Sequence, residues 1–320
     1  MTGFPPFGKI ILQGINCKVI GGDSSVDTQA IAELEKSYQR GEFGRVVYSC
    51  DELLRDPAYG PARAQILLWK GLAKQQAGHA WYGEAISCFR EGISAAGRDR
   101  PLKARLIATL SAVYALTGDC VASQALMKDY ERVSREANPG VSRWGAFLWY
   151  NYGCTLDNAF RYQEAAAAFA RAAALAQSVP GLEHVRGWSL HNLGGVQLAL
   201  NNLPAAADAM EQAESLLLPD PSFGPKRPSR RAEYQLAAGD MESALQHITA
   251  ALALPQVDDM TRADVYYTWA RVLQAVGRPT AEVREKALLA LDCAVKAVHY
   301  PGIDKTNRLL QQLGPARKGD

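Results

Sequence analysis

Histidine is the side chain best suited to proton transfer or metal ligation near neutral pH, and the chain has five: His79, His184, His191, His247 and His299. They are scattered, and none has an acidic or cysteine partner at ligand spacing. His184 and His191 fall seven residues apart and share a face if helical, but two imidazoles alone make a poor metal site. Six cysteines (Cys17, Cys50, Cys88, Cys120, Cys154, Cys293) stand about 30 or more residues apart, with no C-x-x-C. At otherwise apolar or small positions they read as small hydrophobes suited to a reducing compartment. H-E-x-x-H, G-x-S-x-G and the phosphate-binding glycine loops are all absent. The sequence therefore predicts no catalytic residue, no metal and no cofactor. An enzyme assembled from distant segments is the third and weakest functional reading.

Residues suited to binding are better represented. Asn151 and Asn192 each stand two residues before a glycine in matching local patterns. A side-chain amide both donates and accepts, so a row of asparagines grips an extended peptide backbone whatever its sequence. The alternative is that these amides cap or bridge adjacent helices, since a buried amide must find partners either way. Around them Lys70, Lys74, Arg105, Tyr150, Trp188, His191, Tyr267 and Arg271 offer aromatic anchors and cations. That mixture suits an amphipathic or acidic peptide. Lys226, Arg227, Arg230 and Arg231 crowd the proline-rich break Pro219–Arg231, which reads as a solvated connection outside the groove.

These residues need a frame, and the frame is a repeat. A small or branched residue recurs at Val46, Ala85, Ser123, Ala165, Ala206, Ala244 and Ala287, with spacings of 38–43 residues. Each opens an i, i+4, i+7 apolar pattern that faces one side of a helix. Small residues at the ends of that pattern let helices approach, and the large middle residue fills the groove between them. Gly41, Gly118, Gly239, Gly277, Asn158 and Asn201 punctuate the middle of the units, while Pro101, Pro139, Pro180, Pro219, Pro255 and Pro301 fall between units. Seven helix pairs stacked as an α-solenoid follow, with the first helix of each pair lining the concave face. Trp149, Phe169, Leu193 and Phe89 are expected in the inter-helix core.

The pattern resembles the tetratricopeptide repeat family. Trp149, Tyr152, Gly153, Ala165, Phe169 and Ala172 match its unit nearly position for position, as do Trp69, Leu72, Ala73, Ala85, Phe89 and Gly92. The resemblance covers residues 27–297 and implies an all-α, right-handed superhelix that binds proteins or peptides. The spacing exceeds the usual ~34 residues of that family, so its helices are about a turn longer. Long-helix versions resemble those in adaptors and bacterial signal-responsive regulators. The two-carboxylate clamp of chaperone-binding members is not matched: Lys70 fits, but Lys74, Thr109, Phe147 and Asn151 occupy its other places.

The expected organisation is an N-terminal extension over 1–25, a repeat array over 26–300 and a capping helix with a loose tail over 301–320. Ile10 to Ile20 is β-prone and reads as a short strand covering the first pair, or as the remnant of a fused domain. Net charge is +2, from 35 basic and 33 acidic residues, so no global field points to nucleic acid. No apolar run is long enough to span a membrane or act as a signal peptide, and the expected location is cytoplasmic. The leading reading is a non-catalytic adaptor or regulatory scaffold that holds a protein or peptide partner. The alternative is a ligand- or peptide-sensing module of a signal-responsive transcription regulator. Partner identity and oligomeric state are not encoded in any motif.

Overall fold

The computed structural model describes residues 25–134, 139–220, 222–254 and 257–314. The β-prone segment, Cys17 and the tail from Pro315 lie outside them. Among the described residues there are fifteen α-helices and no strand. They form seven consecutive pairs: α1 (Ser25–Gln39) with α2 (Phe43–Arg55), α3 (Arg63–Ala77) with α4 (Tyr82–Ala95), α5 (Arg100–Thr117) with α6 (Cys120–Val133), and α7 (Pro139–Asn158) with α8 (Tyr162–Gln177). Then come α9 (Glu183–Ala199) with α10 (Leu203–Leu217), α11 (Lys226–Ala238) with α12 (Met241–Ala253), and α13 (Asp259–Ala275) with α14 (Thr280–Lys296). A last helix, α15 (Tyr300–Gln312), packs on α14 and α13. The architecture is an all-α helical solenoid.

The second-helix register is uniform. Val46, Ala85, Ser123, Ala165, Ala206, Ala244 and Ala287 all have 0% of their surface exposed. The large residue four positions on is fully buried at Cys50, Phe89 and Phe169 and nearly so at Met210 and Ile248. Trp149 and Leu193 are half-buried instead. Leu148 takes the buried place beside Trp149, whose ring lies edgewise on Tyr152 at 6.1 Å. Leu193 packs on the rim of a cluster of Ala173, Leu190 and Ala213.

Local chemistry sets the helix ends. Asp99, Asp119, Asp240 and Asp258 accept hydrogen bonds from the backbone N–H of Leu102, Ala122, Ser243 and Thr261 at 2.7–3.0 Å. Each cap of this kind is worth about 1 kcal/mol. Gly118 and Asn201 end first helices with φ of 72° and 58°, the left-handed turn the sequence called for. The same turn after α7 falls on Phe160, at φ 59°. The basic stretch corrects the expectation of a loop. Lys226, Arg227, Arg230 and Arg231 belong to α11, because Pro225 and Pro228 sit before and within its first turn, where no intrahelical donor is lost.

The chain divides into two compact units. The N-terminal unit comprises the described residues up to Thr155 together with Ala174–Val185; the C-terminal unit comprises Leu156–Ala173 and the described residues from Arg186 onward. In the N-terminal unit α3 and α5 are buried on nearly every side, with Ile66, Leu68, Leu72, Leu106, Ile107 and Leu110 at 2% exposure or less. Gly71 admits the Phe89 ring, which a Cβ would meet at 2.5 Å. In the C-terminal unit Ala232, Ala244, Ile248, Val265 and Val272 form one cluster, and Ala270, Val283, Ala287 and Leu309 form another. Leu309 thereby fixes α15 to the last pair. The Arg284 guanidinium holds its end by donating to the carbonyls of Leu313 and Gly314.

Five cysteines (Cys50, Cys88, Cys120, Cys154 and Cys293) are free thiols. Burial pushes the Cys50 thiol up to about 12 and raises those of Cys88 and Cys293 as well, which keeps them protonated. Phe169 tests the packing most directly, being fully buried. Phe169→Ala should lower unfolding free energy by about 3–5 kcal/mol in a denaturant titration. A loss below about 1 kcal/mol would show that the ring does not fill the inter-helix groove.

Candidate binding surface on the first helices

In the N-terminal unit the first helices of four successive pairs meet through rings and one cation. Tyr38 of α1 lies 5.4 Å from the Trp69 ring of α3. The Arg105 guanidinium of α5 sits 5.6 Å from the Trp69 ring and 5.4 Å from that of Trp144 on α7. Phe147 continues the row 5.4 Å from Trp144. A guanidinium between two indole faces is held by the ring quadrupoles and is poorly hydrated. Burial raises the Tyr38 hydroxyl above its ordinary value and pushes the Glu35 carboxyl up beside it.

Asn151 is 3% exposed in this row, with Tyr150 at 4%. Its amide nitrogen donates to the Ala108 carbonyl at 3.1 Å and to the Ser111 hydroxyl at 2.9 Å. Both of its N–H donors are thus committed to α5. This is the helix-bridging role that the sequence left open beside groove contact.

Lys70 and Lys74 depart from the concave placement. They line a cleft of about 400 Å³ with Asp51, Glu84, Cys88 and Glu91, facing the second helices α2 and α4. Lys70 pairs with Asp51 at 2.6 Å, and Lys74 with Glu84 at 2.5 Å beneath the Trp81 ring. The reason is the face that Gly71 sets: once Phe89 packs onto that glycine, residues on either side of it turn toward the second helices.

In the C-terminal unit the first helices bring charged groups together. Arg230 of α11 bonds Glu233 through Nη1. Its guanidinium lies flat on α9 at Gly195, where a Cβ would come within 2.2 Å of Nη1. Lys305 of α15 pairs with Asp264 of α13 at 2.5 Å and stands 4.8 Å above the Tyr267 ring. Lys226 donates to the Thr261 hydroxyl at 3.0 Å. Arg308 stacks on Phe160 at 4.1 Å. The side chains of Arg230, Glu233, Asp264 and Lys305 keep between 22% and 32% of their surface exposed, so these ion pairs remain in partial contact with solvent. His191 is 6% exposed, wedged edgewise between Trp188 at 5.5 Å and Phe223 at 5.4 Å.

The electrostatics follow from this crowding. Burial, with Arg230 and Lys226 adding to it, holds the His191 imidazole well below its usual value. Burial likewise brings His299 down to about 4, so both rings are neutral at pH 7. Burial opposes ionisation of Asp264, but Lys305, His299 and Lys226 outweigh it and hold this carboxyl far below the carboxylate range. Asp157, half-buried near the end of α7, behaves in the opposite way. Burial, reinforced by Glu233 and Asp264, pushes it up to about 6 against the pull of Arg230 and Lys305.

Of the residues singled out in the sequence, Trp188, His191, Asn192, Tyr267 and Arg271 fall on first helices of the C-terminal unit, and Arg105, Tyr150 and Asn151 on those of the N-terminal unit. Asn192 is half-buried and Arg271 exposed. Asp157, Arg230, Glu233, Asp264 and Lys305 were missed. Four of them look like ordinary helix-surface charges in sequence, and Arg230 was assigned to a loop. Among the described residues no three His, Cys, Asp or Glu side chains cluster as metal ligands. No described helix is long and apolar enough to cross a membrane.

Comparison with known proteins agrees with the architecture. Residues 146–218 match the tetratricopeptide repeat model. A tetratricopeptide repeat protein of Parabacteroides merdae superposes with a TM-score of 0.56 at 16% identity, over 87% of this chain and 99% of that one. The apo form of RapI gives 0.60 at 13% identity, over 96% and 90%. The APC/C hetero-tetramer Cut9–Hcn1 gives 0.57 at 14% identity, over 85% of this chain and 48% of that one. At these identities the likeness establishes the fold. No curated protein matches the chain in sequence.

Asp157 supplies the test of the electrostatics. Its folded pKa of about 6 exceeds the unfolded value of ~3.9, so its ionisation destabilises the folded chain fully above pH 6 and less as pH falls toward 4. Asp157→Asn should therefore raise the melting temperature at about pH 7.5, with the gain shrinking to nothing near pH 4. An equal shift at both pH values, or a fall at pH 7.5, would contradict the assignment.

Proposed function

We propose that this chain, whose residues 146–218 match the tetratricopeptide repeat model, is a non-catalytic adaptor or regulatory scaffold that holds a segment of a partner protein against its first helices. The observation that carries this reading is the set of partly exposed ion pairs, Arg230 with Glu233 on α11 and Lys305 of α15 with Asp264 of α13, in the C-terminal unit. Pairing of helices needs small and apolar side chains at the contacts, and the second helices supply them. Charges on first helices are not required by that packing, and a solenoid offers first-helix faces as extended surfaces for a partner. The Cut9–Hcn1 assembly shows that a chain of this fold is found in a hetero-tetramer, which supports a protein partner here.

On this reading Tyr267 and Arg271 on α13 and Trp188, His191 and Asn192 on α9 belong to the binding face of the C-terminal unit, and Arg105 and Tyr150 to that of the N-terminal unit. Asn151 contributes by fixing α7 to α5 rather than by reaching the ligand. The partner is a peptide or a helical segment, with neither nucleic acid nor a membrane as target.

Site-specific photo-crosslinking in cells tests the face. A crosslinking residue at Tyr267 or Arg271 should join the chain to a partner protein. The same residue at Leu288 or Val295, exposed on the second helix α14, should give at most a few per cent of that yield. Equal or reversed yields would place the partner on the second helices and overturn the proposal.

A further inference from the structure

We propose that the cleft between α2 and α4 of the N-terminal unit binds a free α-amino acid with an apolar side chain, a ligand separate from the protein segment assigned to the first helices. The cleft measures about 400 Å³, a size that suits a small molecule. One face of α3 forms its floor, where Arg63, Leu67, Lys70 and Lys74 recur every three or four residues. Asp51, Leu54 and Arg55 of α2 form one wall, and Glu84, Cys88 and Glu91 of α4 the other. Each floor cation is tied to one wall carboxylate: Lys70 to Asp51 at 2.6 Å, Lys74 to Glu84 at 2.5 Å, and Arg63 to Glu91.

In all three pairs the cation lies deeper than its carboxylate. The Lys74 side chain is 6% exposed against 59% for Glu84, and Lys70 and Arg63 are likewise less exposed than Asp51 and Glu91. An ammonium carries three donors. Among the described residues Lys70 pairs with one carboxylate, and Lys74 meets one carboxylate and the Trp81 ring, so both keep donors without an acceptor. A nearly buried ammonium in that state gains from an outside oxygen. The carboxylates, with several acceptor sites each and a single cation apiece, gain in the same way from an outside N–H. Pairing of these helices rests on Val46, Cys50, Ala85 and Phe89, all fully buried, so it does not require three ion pairs around an unfilled space.

The chemistry of the ligand follows from the charge count. Arg55, Arg63, Lys70 and Lys74 stand against Asp51, Glu84 and Glu91, and Glu52, the partner of Arg55, brings the count to four of each sign. Cys88 adds no charge, because burial keeps its thiol protonated. A simple anion would gain the lysines but be repelled by the carboxylates, and a simple cation would meet the reverse. A molecule with both charges on neighbouring groups can enter the Lys70–Asp51 pair, its carboxylate on Lys70 and its ammonium on Asp51, and leave no charge alone. Asp51 is the more exposed member and can turn outward to make room. An α-amino acid carries its charges on one carbon, whereas the termini of a dipeptide are too widely spaced to fill a single pair. Leu54 and Leu67, each one turn from a member of that pair, give an apolar side chain its surface.

Isothermal titration of the full chain with the standard amino acids, each followed by its N-acetyl and its carboxamide form, tests this. At least one amino acid with an apolar side chain should bind, and both of its derivatives about tenfold or more weakly, because each removes one charge. Two variants locate the site. Lys70→Gln should lower the acid to the level of its amide, and Asp51→Asn should erase the preference for a free amino group over an acetylated one. A merely structural role for the pair would leave both preferences in place. Arg278→Gln, which breaks the exposed pair with Glu282 in the other unit, should bind as the unaltered chain does. Helical circular dichroism of each variant separates lost binding from lost folding. Phosphate or methylammonium binding as tightly as the amino acid, a dipeptide binding more tightly, an unchanged preference in either folded variant, or no binding by any amino acid would overturn the inference. None of these results bears on the first-helix face, which the crosslinking yields decide.

Discussion

Every pair in this chain depends on how closely two helices can approach. At the seven second-helix positions from Val46 to Ala287 the side chain is small or branched and has no exposed surface. Five of the seven are alanine. An alanine there lets the partner helix come near enough for one large residue, such as Phe89 or Phe169, to fill the remaining space. A bulky residue at the small position would separate the helices and strip the large one of its contacts on all sides at once. The constraint is local to each pair, which is why it repeats and why a long array can be built without a single central core.

The same locality decides what could be read from sequence. Seven pairs, their second-helix register and most of their turns were legible, because each depends on residues within about 40 positions of one another. The first-helix faces were less so. Lys70 and Lys74, expected in the groove as non-core positions of a first helix, instead face the second helices beside Gly71 and the Phe89 ring. Arg230 was hidden by its prolines, which suggest a loop yet are compatible with the start of a helix. Asp157 carries no sequence signal at all. Its character comes from α11, α13 and α15, between about 75 and 150 residues further along, and no periodicity reports such neighbours.

The two units use their first helices differently. In the N-terminal unit the row Tyr38, Trp69, Arg105 and Trp144 sets a single cation among aromatic rings, and the Asn151 amide is tied to the backbone of α5. In the C-terminal unit the corresponding helices carry mixed charges that retain contact with water. Packing alone would favour the first solution throughout, since replacing ion pairs by apolar groups of similar volume is commonly neutral or stabilising. Charges presented on first helices give orientation and selectivity instead, because a wrongly charged visitor is repelled as strongly as the right one is held.

Within the C-terminal unit one contact breaks the nearest-neighbour rule of a solenoid. Arg308 on the last helix stacks on Phe160, which belongs to the turn of the fourth pair. Phe160, like Val298, adopts the left-handed backbone without being glycine or asparagine, at a cost of order 1 kcal/mol. A strained turn persists only where its surroundings fix it, and here the ring is held between Arg308 and Tyr162. Residues more than 140 positions apart in sequence are therefore in contact. That contact ties the last helix to the turn of the fourth pair, so this unit is coupled across repeats where an ideal solenoid is coupled only to its neighbours.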